Sequence, residues 1–428
     1  MEHMSKIAVI GTGYVGLSSG ACFAHLGHAV TCVDVVQSKI DNLNIGILPI
    51  VETGLEALVS EGVAAGNLLF TIDIERAVVD ADVVFLCVPT PEGADGSADL
   101  SYIQTAARTL SPLLRSGAIV VNKSTVPVGS TKVVERELKR PDIAVVSNPE
   151  FLREGSAIQD FLHPDRIVVG SDNQEAAIAV GALYEKVGAP IVVTDPASAE
   201  TIKYAANAFL ATKISYINAV AAICEGVGAD INDVVLGLGY DKRIGHEFLR
   251  PGPGWGGSCF PKDTKAMVKI AQDAGYDFGL LKGVITVNDQ QYGRIVDKIR
   301  EAAGGTLEGK KIASWGLTFK ALTDDLRDSP AVEIVTRLLA DGALVTVFDP
   351  TVSSAPKGLE AITVCASPLE ACTGVDVIAV LTEWDDFRWV DATEAASVVS
   401  VKQIVDARNL LERSEWRRAG FEYQGIGR

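Results

Sequence analysis

Short apolar runs alternate with helical segments over the first half of the chain. Seven of these runs have the length and the β-branched composition of buried strands. Helical patterns separate most of them, which is typical of a mostly parallel, doubly wound sheet. The predicted strands are Lys6–Ile10, Ala29–Val33, Asp82–Val88, Ala118–Asn122, Ile143–Val146, Arg166–Val169 and Ile191–Thr194.

The middle of the chain is predominantly helical. Asp195 and Pro196 make a good N-cap and first-position pair, and apolar residues then recur at helical spacing from Ala197 to about Gly226. A helix of this length predicts a spine between domains with a surface for dimerisation. Further helices are predicted over Ile231–Leu238, Thr264–Ala274 and Gly283–Ala303.

A second alternation of strands and helices occupies the C-terminal part. Its predicted elements are strands over Lys310–Gly316, Ala343–Phe348, Asp376–Val380 and Gln403–Val405, a helix over Ser329–Leu339 and a terminal helix. The chain is therefore predicted to be an α/β protein, with two Rossmann-like doubly wound domains joined by a long central helix and a helical dimerisation domain. We place the domains at residues 1–195, 196–303 and 304–428.

Size, charge and cysteine usage narrow the class of protein. A chain of 428 residues exceeds one ordinary core, and a net charge of −17 without a basic run argues against nucleic-acid and membrane partners. The seven cysteines form no CxxC pair and the five histidines show no metal-ligand spacing, so we expect a reducing cytoplasm and no metal. We also expect no signal peptide and no apolar run of membrane-span length.

A glycine-rich turn follows the first predicted strand directly. Gly11, Gly13 and Gly16 form a GxGxxG motif that opens a helix, and Asp34 ends the next strand 23 residues after Gly11. These glycines permit the tight turn, the approach of a pyrophosphate and close helix–strand packing, while the acid accepts from a ribose hydroxyl. Because a carboxylate repels a 2′-phosphate, the motif predicts NAD rather than NADP. The C-terminal alternation lacks this motif and is not expected to hold a second dinucleotide in the same way.

A single thiol lies in the glycine-rich run that spans residues 252–263. Cys259 precedes a predicted helix start, with Pro261 suited to the first helical position. The free N–H groups and the dipole at such a start favour a thiolate, and Lys262 adds a positive charge. Cys259 is either a buried cysteine in a tight turn or a nucleophile, and the adjacent Lys262 and Asp263 favour the nucleophile.

Other polar positions suggest a site without defining it. Lys203 and Asn207 share one stripe of the long helix, either as a functional pair or as a snorkelling lysine beside a capping or solvated asparagine. Glu150, Arg153 and Glu154 cluster after a predicted strand, where doubly wound sheets bind ligands. In the C-terminal unit the cations are either surface charges or contacts for a substrate nucleotide, and they are Lys320, Arg327 and Arg408.

Together these segments resemble the UDP-glucose/GDP-mannose dehydrogenase family, and within it the UDP-glucose 6-dehydrogenases, over nearly the whole chain. The matching segments are Gly11–Leu17, Lys123–Gly129, Asn148–Gly155, Lys203–Asn207, Arg243–Gly245, Phe248–Leu249, Pro251–Gly252, Gly256–Asp263 and Asp406–Arg408. One departure is Trp255, where we expect Tyr or Phe. Its larger ring either narrows the sugar pocket or packs outward.

The resemblance implies a homodimer that oxidises UDP-glucose to UDP-glucuronate in two NAD-dependent steps. Cys259 would carry the half-oxidised sugar as a thiohemiacetal and then a thioester. Lys203 would stabilise oxyanions or assist proton transfer, and Asn207 and Asp263 would position or activate water. Thr125 and Glu154 resemble residues that handle water and protons, with Glu150 assisting.

The resemblance also implies two sets of binding residues. Those that would surround NAD are Gly11, Gly13, Tyr14, Val15, Gly16, Asp34, Lys39, Thr90, Thr125, Glu154 and Arg327. Those that would contact the sugar nucleotide are Glu150, Phe151, Leu152, Arg153, Lys203, Asn207, Arg243, Phe248, Leu249, Gly252, Lys320 and Arg408, with Arg243 crossing from a partner subunit.

Three alternatives stay open from the sequence. The first is a related enzyme for GDP-mannose or a UDP-N-acetyl-hexosamine, whose base selection the chain does not reveal. The second is a single-step hydroxyacid dehydrogenase, which would need no thiol. The third is a regulatory or scaffold protein that senses NAD, and an intact set of Cys259, Lys203, Asn207 and Asp263 argues against it.

Overall fold

The computed structural model describes residues 4–91, 93 and 98–428. Within them the chain divides into two compact units, one of residues 1–206 with 265–274 and one of residues 207–264 with 275–428. The division into three domains stays a prediction.

The first unit is built on an eight-stranded sheet in the order β3-β2-β1-β4-β5-β6-β7-β8. Its strands run parallel except at the junction of β6 and β7, which is antiparallel, so the expected mostly parallel sheet is confirmed. The strands are β1 Lys6–Ile10, β2 Ala29–Val33, β3 Leu68–Thr71, β4 Val83–Leu86, β5 Ile119–Asn122, β6 Ala144–Ser147, β7 Ile167–Gly170 and β8 Ile191–Thr194. The prediction missed β3.

Helices of the first unit cover both faces of this sheet. They are α1 Tyr14–His25, α2 Gln37–Asn44, α3 Leu55–Ala65, α4 Ile74–Val78, α5 Ser101–Leu110, α6 Ser130–Leu138, α7 Ala157–Leu162 and α8 Gln174–Ala182, with a 3₁₀ turn at Glu185–Val187. In β1, Ile7 and Val9 join one buried cluster while Ala8 and Ile10 join another. Successive side chains alternate across a strand, so a strand covered on both faces reads as continuously apolar.

The helix α9 spans Pro196–Val227, and the boundary between the two units falls within it. Asp195 caps its start, since its carboxylate accepts from the Ser198 backbone N–H at 2.8 Å and from the Ser198 hydroxyl at 2.6 Å. By length and composition this helix could cross a membrane, with a mean hydropathy of 1.2. The helix meets this test by its mean hydropathy and not as an unbroken apolar run, because polar residues such as Glu200, Lys203 and Asn207 interrupt it without ending the helix.

Buried polar side chains on α9 argue that it is a core helix. Glu200, Lys203, Asn207 and Ser215 are all buried in the protein. Hydrogen-bonded polar groups of this kind suit a protein interior, where partners satisfy them, rather than a lipid-facing surface.

The second unit contains a six-stranded, fully parallel sheet in the order β11-β10-β9-β12-β13-β14. This repeats the order of the first six strands of the other sheet and confirms a second Rossmann-like unit. Its strands are β9 Lys311–Trp315, β10 Leu344–Phe348, β11 Thr363–Val364, β12 Val377–Val380, β13 Gln403–Asp406 and β14 Glu422–Gln424. The expected terminal helix is present at Arg413–Arg418, and the short strand β14 that follows it was not predicted.

The remaining helices begin or end within a few residues of the predicted bounds where a prediction was made. They are α10 Ile231–Gly239, α11 Phe260–Asp273, α12 Gly279–Ala302, α13 Pro330–Ala340, α14 Pro368–Ala371, α15 Asp385–Arg388, α16 Ala392–Val398 and α17 Arg413–Arg418. Because α11 begins at Phe260, Cys259 immediately precedes it and Pro261 is its second residue, not its first.

Candidate active site

The glycine-rich turn joins β1 to α1 in a conformation that depends on two glycines. Gly11 has a φ of +102°, and a Cβ there would lie 2.5 Å from the carbonyl oxygen of Cys87. A Cβ at Gly16 would lie 1.9 Å from the carbonyl oxygen of Gly11. Around Gly13, by contrast, a Cβ would meet nothing within 4 Å. The turn thus leaves open space at the start of α1, where free N–H groups suit a phosphate.

Asp34 is nearly buried at the end of β2 and faces this turn. Its Oδ2 accepts from the Thr12 backbone N–H at 3.0 Å, from the Thr12 hydroxyl at 2.7 Å and from Lys39 Nζ at 2.9 Å. Burial works against the charged form, but the hydrogen bonds from Thr12 and Lys39 prevail and lower the pKa of Asp34 to about 2. Asp34 is therefore a fixed carboxylate at neutral pH, and Lys39 is its counter-ion.

Tyr14, at the start of α1, ties the glycine-rich turn to the segment after β6. Its hydroxyl donates to the carboxylate of Glu52 and accepts from the Gly155 backbone N–H at 2.9 Å. Glu52 also accepts from the backbone N–H groups of Gly155 at 2.7 Å and Ala157 at 2.9 Å. Burial and the adjacent Glu52 raise the pKa of Tyr14. Val15 packs against the apolar cluster beneath the turn.

Thr90 and Thr125 meet at the carboxyl edge of the sheet, beyond β4 and β5. The Thr90 hydroxyl donates to the Thr125 carbonyl oxygen at 2.9 Å. Both residues are partly exposed, as is Glu154 in the segment after β6. Ligands of doubly wound sheets bind at this edge.

Glu150 and Lys203 form a buried ion pair. Lys203 Nζ lies 3.0 Å from Glu150 Oε1, with the two side chains only 4% and 5% exposed. Burial opposes ionisation of Glu150, but Lys203 and the Leu152 N–H, which donates to Oε2 at 2.6 Å, lower its pKa. Removing one partner from such a pair leaves an uncompensated buried charge, which costs about 3–5 kcal/mol.

Two cations lie close to the ring of Phe151. The guanidinium carbon of Arg166 is 3.6 Å from the ring centroid and Lys203 Nζ is 5.4 Å from it. Arg153, two residues on, points away into an ion pair with Asp160, at 2.6 Å between Nη2 and Oδ1. Leu152 packs against the core of the unit.

In the second unit, Cys259 is partly exposed at the start of α11. Its Sγ lies 3.6 Å from the hydroxyl of Ser258. In the described part of the chain the seven cysteines form no disulfide, and apart from Cys259 and Cys365 they are buried. Burial raises the pKa of Cys22, Cys87 and Cys372 to about 12 each.

Asp263 lies one helical turn after Cys259 and is fully buried. Its two oxygens are held from opposite sides, by Asn207 Nδ2 at 2.6 Å and by Lys262 Nζ at 2.9 Å. Asn207 follows Lys203 by one turn on α9, and both side chains are buried. The sequence alternative of a snorkelling lysine beside a solvated asparagine is therefore wrong.

The loop that leads to Cys259 depends on glycines for close packing. A Cβ at Gly256 would lie 1.9 Å from the carbonyl oxygen of Asp328, and one at Gly257 would lie 2.7 Å from the ring of Phe319. Gly252 lies beside Arg408, whose Nη1 would be 3.5 Å from an added Cβ. Arg408 is itself anchored, since it donates to the carbonyl oxygens of Leu381 at 2.9 Å and Phe319 at 3.0 Å.

Apolar residues frame the same loop. Leu249 is buried, and Phe248 has a φ of +61° with its ring 6.3 Å from that of Phe260. Trp255 is also buried, and its indole N–H donates to the Ser215 hydroxyl at 2.9 Å. The departure at Trp255 therefore packs into the protein against α9.

The three remaining predicted binding cations have the following contacts. Arg243 is 88% exposed and pairs with Asp241, and Arg327 is 66% exposed and pairs with Asp325. Lys320 lies over the ring of Phe319, with Nζ 5.5 Å from its centroid.

Sequence reasoning missed three residues around these groups. Glu52 links the glycine-rich turn to Gly155, Arg166 stacks on Phe151, and Lys123 is buried beside Asn148 and Tyr184. Only Lys123 lay in a motif that the resemblance had identified. Glu52 and Arg166 carry no local signal, because their partners are distant in sequence.

The fold and the site together define a class of protein. A doubly wound sheet with a glycine-rich turn and a terminal acid on β2 is a dinucleotide fold, and a partly exposed thiol at a helix start beside a buried carboxylate suits covalent catalysis. The chain is an NAD-dependent oxidoreductase with a second nucleotide-binding unit.

Family comparison makes the assignment specific. Residues 5–188 match the NAD binding domain of the UDP-glucose/GDP-mannose dehydrogenase family, residues 197–290 its central domain and residues 313–413 its UDP binding domain. The chain belongs to this family, as the sequence motifs predict.

Individual relatives agree over the full length. The chain is 47% identical to a UDP-glucose 6-dehydrogenase of Rhizobium meliloti (strain 1021), covering 99% of both chains. It superposes on a UDP-glucose dehydrogenase from Pyrobaculum islandicum with a TM-score of 0.92 and 38% identity, covering 100% of this chain and 98% of that one. A UDP-D-ManNAc dehydrogenase from Pyrococcus horikoshii is more distant, with a TM-score of 0.88, 28% identity and 99% of both chains covered.

Proposed function

We propose that the protein oxidises UDP-glucose to UDP-glucuronate, with two NAD⁺ and one water consumed for each sugar. The observation that carries this proposal is Cys259, a partly exposed thiol at the start of α11 with buried Asp263 one turn further on. A dehydrogenase that stops at the aldehyde needs no thiol there. The identity with UDP-glucose 6-dehydrogenases over the whole chain supports the choice of sugar.

The four-electron oxidation requires a covalent intermediate on the enzyme. The C6 hydroxyl loses a proton and a hydride to give an aldehyde. The Cys259 thiolate adds to that carbon, and the resulting oxyanion takes up one proton to form a thiohemiacetal. Loss of a second hydride and the hydroxyl proton gives a thioester. Water then cleaves the C–S bond and releases the carboxylate. Bound NAD⁺ is the acceptor of each hydride, so the reaction yields two NADH and three protons.

For each proton transfer and each developing charge in this reaction, the chain has a residue of suitable chemistry. Lys203 stabilises the oxyanions or assists proton transfer, with Glu150 as its buried counter-ion. Asp263, held by Asn207 and Lys262, positions or activates the water that cleaves the thioester. Thr125 and Glu154 handle protons at the edge of the sheet.

The residues around the glycine-rich turn fit a dinucleotide. The open space at Gly13 suits the pyrophosphate, and Asp34 suits a ribose diol while it repels a 2′-phosphate. In the cofactor site we also include Gly11, Tyr14, Val15, Gly16, Lys39, Thr90, Thr125, Glu154 and Arg327.

The sugar nucleotide would lie against the second set of residues. Gly252 and Arg408 lie side by side in the second unit, near Leu249 and Phe248 in the same loop region. The substrate contacts that we propose in addition are Glu150, Phe151, Leu152, Arg153, Lys203, Asn207, Arg243 and Lys320. The exposed Arg243 suits a residue that acts in a partner subunit.

We further propose a cytoplasmic homodimer. An exposed apolar stripe on α9 supports the dimer, because Phe209, Tyr216 and Ile223 recur at intervals of seven residues and are 65%, 57% and 62% exposed. The free cysteines support a reducing compartment.

The stoichiometry of NADH tests the proposed reaction. Purified protein supplied with limiting UDP-glucose and excess NAD⁺ should release two NADH for each sugar, with no free aldehyde. One NADH per sugar with released aldehyde would contradict the covalent route. Parallel assays with GDP-mannose and a UDP-N-acetyl-hexosamine test the related substrates, and faster turnover of either would replace UDP-glucose in the proposal.

A further inference from the structure

Lys123 is a buried cation that the proposed reaction does not use. It directly follows β5 and is only 4% exposed. Its Nζ donates to Asn148 Oδ1 and to the Tyr184 hydroxyl, at 3.1 Å each, and lies 5.9 Å and 5.5 Å from the ring centroids of Phe161 and Tyr184. Burying an ammonium ion costs free energy. The contacts of Lys123 show which nearby residues it affects.

The three polar groups form a closed triangle. The Tyr184 hydroxyl donates to the same Asn148 Oδ1 at 2.6 Å, and Asn148 Nδ2 donates to the Val168 carbonyl oxygen at 2.7 Å. The Asn148 backbone N–H is also fixed, since it donates to the Asn122 carbonyl oxygen at 2.9 Å. Asn148 therefore has its side chain and its backbone held on both sides, by β5 and by β7.

Asn148 lies two residues before Glu150, with Pro149 between them. A proline restricts its own φ and the conformation of the residue before it. Fixing Asn148 therefore fixes the backbone that carries Glu150. Glu150 in turn holds Lys203 at 3.0 Å in the buried ion pair. A continuous set of contacts joins Lys123 to the lysine that we place in the reaction.

The charges in this cluster are coupled. Burial lowers the pKa of Lys123 to about 8, against the attraction of Glu150, and the positive charge of Lys203 lowers it further. Such coupling is reciprocal, so the charge of Lys123 also acts on the Lys203–Glu150 pair. The other ionisable groups that face Lys123 are Cys22, Cys87 and Tyr184, and burial raises the pKa of each, so they are neutral at pH 7.

We propose that Lys123 is a positioning residue that acts through Asn148 and Tyr184 on the turn carrying Glu150, and that it thereby governs how Lys203 holds its proton. The role of Lys203 in this inference rests on the proposed function. Lys123 itself need not contact substrate or cofactor.

The first test is the pH dependence of kcat in Lys123→Met. Removing one positive charge from the cluster should raise the apparent pKa of the Lys203–Glu150 pair by about one pH unit, which changes its protonation tenfold at a given pH. We expect the pH profile of kcat to move by about one unit to higher pH, with the KM for NAD⁺ changed by less than about twofold. A profile that does not move, or that moves to lower pH, would overturn the inference.

The matched control is Lys132→Met, the same substitution nine residues further along. Lys132 is 56% exposed and pairs with Asp172 and Glu135 at the surface, so its loss should leave the profile unchanged. If the pH profile of Lys132→Met moved as far as that of Lys123→Met, the loss of any lysine would explain the effect. That result would overturn the inference.

Tyr184→Phe provides a second variant in case Lys123→Met does not fold. It keeps the ring beneath Nζ and removes only the hydroxyl that binds Lys123 and Asn148. With one acceptor fewer, Lys123 loses its proton more easily, and the profile should move in the same direction by a smaller amount. An unchanged profile in a folded Tyr184→Phe protein would contradict the proposed role.

A readout that needs no turnover separates this inference from the proposed function. An unfolded lysine keeps its proton up to about pH 10.4, whereas Lys123 in the folded protein releases it near pH 8. The unfolded state therefore binds more protons between these values, and stability gains with rising pH across that window. This gain should be present in the wild type and absent in Lys123→Met. Equal gains would overturn the inference, whereas failure to oxidise UDP-glucose would overturn only the proposed function.

Discussion

At the scale of single residues, Cys259 differs from most other cysteines of the chain in its exposure and its position. Cys259 is partly exposed at a helix start, and Cys365 is the other partly exposed cysteine. Burial and the charge of Glu370 raise the pKa of Cys365. Their different settings make the two residues a natural pair for comparison, because one substitution tests the site and the other tests the mere loss of a thiol.

Cys259→Ala should abolish net oxidation of UDP-glucose, with kcat reduced by about 10³-fold or more, because no covalent intermediate can form. NADH release under steady-state conditions measures this loss. Cys365→Ala should keep wild-type kcat. Normal turnover by the Cys259 variant would contradict the proposed route, and mass spectrometry of a quenched wild-type reaction should find the sugar attached to Cys259.

Asp34 carries the predicted preference for NAD. Asp34→Asn keeps the shape but removes the charge that repels a 2′-phosphate, so we expect the ratio of kcat/KM for NAD over NADP to fall by about tenfold or more. Steady-state kinetics with both cofactors measure this ratio. Asp41→Asn, an exposed carboxylate on α2 bound to Gln37, is the control and should leave the ratio unchanged.

The same carboxylate predicts a dependence of stability on pH. Its folded pKa is about 2, lowered chiefly by hydrogen bonds that overcome the opposing effect of burial, and an unfolded aspartate titrates near 3.9. The stability that it contributes is fully present above the unfolded pKa and is lost as the pH falls through the folded pKa. The difference in unfolding free energy between wild type and Asp34→Asn should therefore shrink between about pH 4 and 2. A difference that grows on acidification would contradict the assignment.

At the scale of elements, glycines and not the thiol determine the backbone path of the loop before α11. A Cβ at Gly256 would meet the carbonyl oxygen of Asp328 at 1.9 Å, and a backbone atom cannot move aside as a flexible side chain can. The loop and the segment before α13 must therefore hold their spacing for Cys259 to keep its position. The conformation of this loop thus depends on contact with Asp328, which lies far along the chain.

Gly256→Ala should lower the free energy of unfolding by about 1–3 kcal/mol and reduce kcat, because overpacking forces the loop to shift. Chemical denaturation and kinetics measure both effects. Gly283→Ala on α12 is the control: it meets nothing within 4 Å and should be neutral or stabilising by up to about 1 kcal/mol. An unaffected Gly256→Ala protein would mean that the close approach is not required.

The stripe on α9 predicts the assembly of the protein. Replacing Phe209 and Ile223 together with Glu puts charges into the apolar surface that we assign to the dimer, so we expect a monomer in light scattering after size-exclusion chromatography. Trp389→Glu is the control, because Trp389 is 84% exposed on the segment after α15 and should leave the assembly unchanged. A dimer that survives the double substitution would place the interface elsewhere.

At the scale of the whole molecule, the same order of six strands occurs in both units. In the second unit Gly316 and Asp349 repeat the positions of Gly11 and Asp34 after the first two strands. The Asp349 carboxylate accepts from the Thr318 hydroxyl at 2.9 Å, as Asp34 does from Thr12. Asp349, however, also accepts from the Trp384 indole N–H at 3.1 Å. In the second unit the corresponding carboxylate is therefore bound by a tryptophan as well as by a threonine.

A ligand that binds only the folded protein should stabilise it. At an NAD⁺ concentration of about 100 times its Kd, we expect about 2.7 kcal/mol of stabilisation, visible as a higher unfolding temperature in scanning calorimetry. Asp34→Asn should reduce the shift at the same concentration. The corresponding Asp41→Asn protein should keep it, and an NAD⁺ effect that persists undiminished in Asp34→Asn would remove this carboxylate from the cofactor site.

The sequence by itself determined the elements and most of the chemistry. Apolar runs buried on both faces, a glycine turn, and strong caps such as Asp195 are local signals, because strand and helix formation depend on neighbouring residues. Short edge strands such as Thr363–Val364 and Glu422–Gln424 were not predicted, because their pairing partners lie elsewhere in the chain. The length of α9 and its continuity through polar residues were also predicted.

Only the tertiary structure decided which polar residues act together. Lys203 and Glu150 are 53 residues apart, Asn207 and Asp263 are 56 apart, and Lys123 and Tyr184 are 61 apart. No spacing rule links such pairs, since their proximity follows from strand order and from the path of α9. Burial then sets their charges, because the cost of removing an ion from water depends on every group around it.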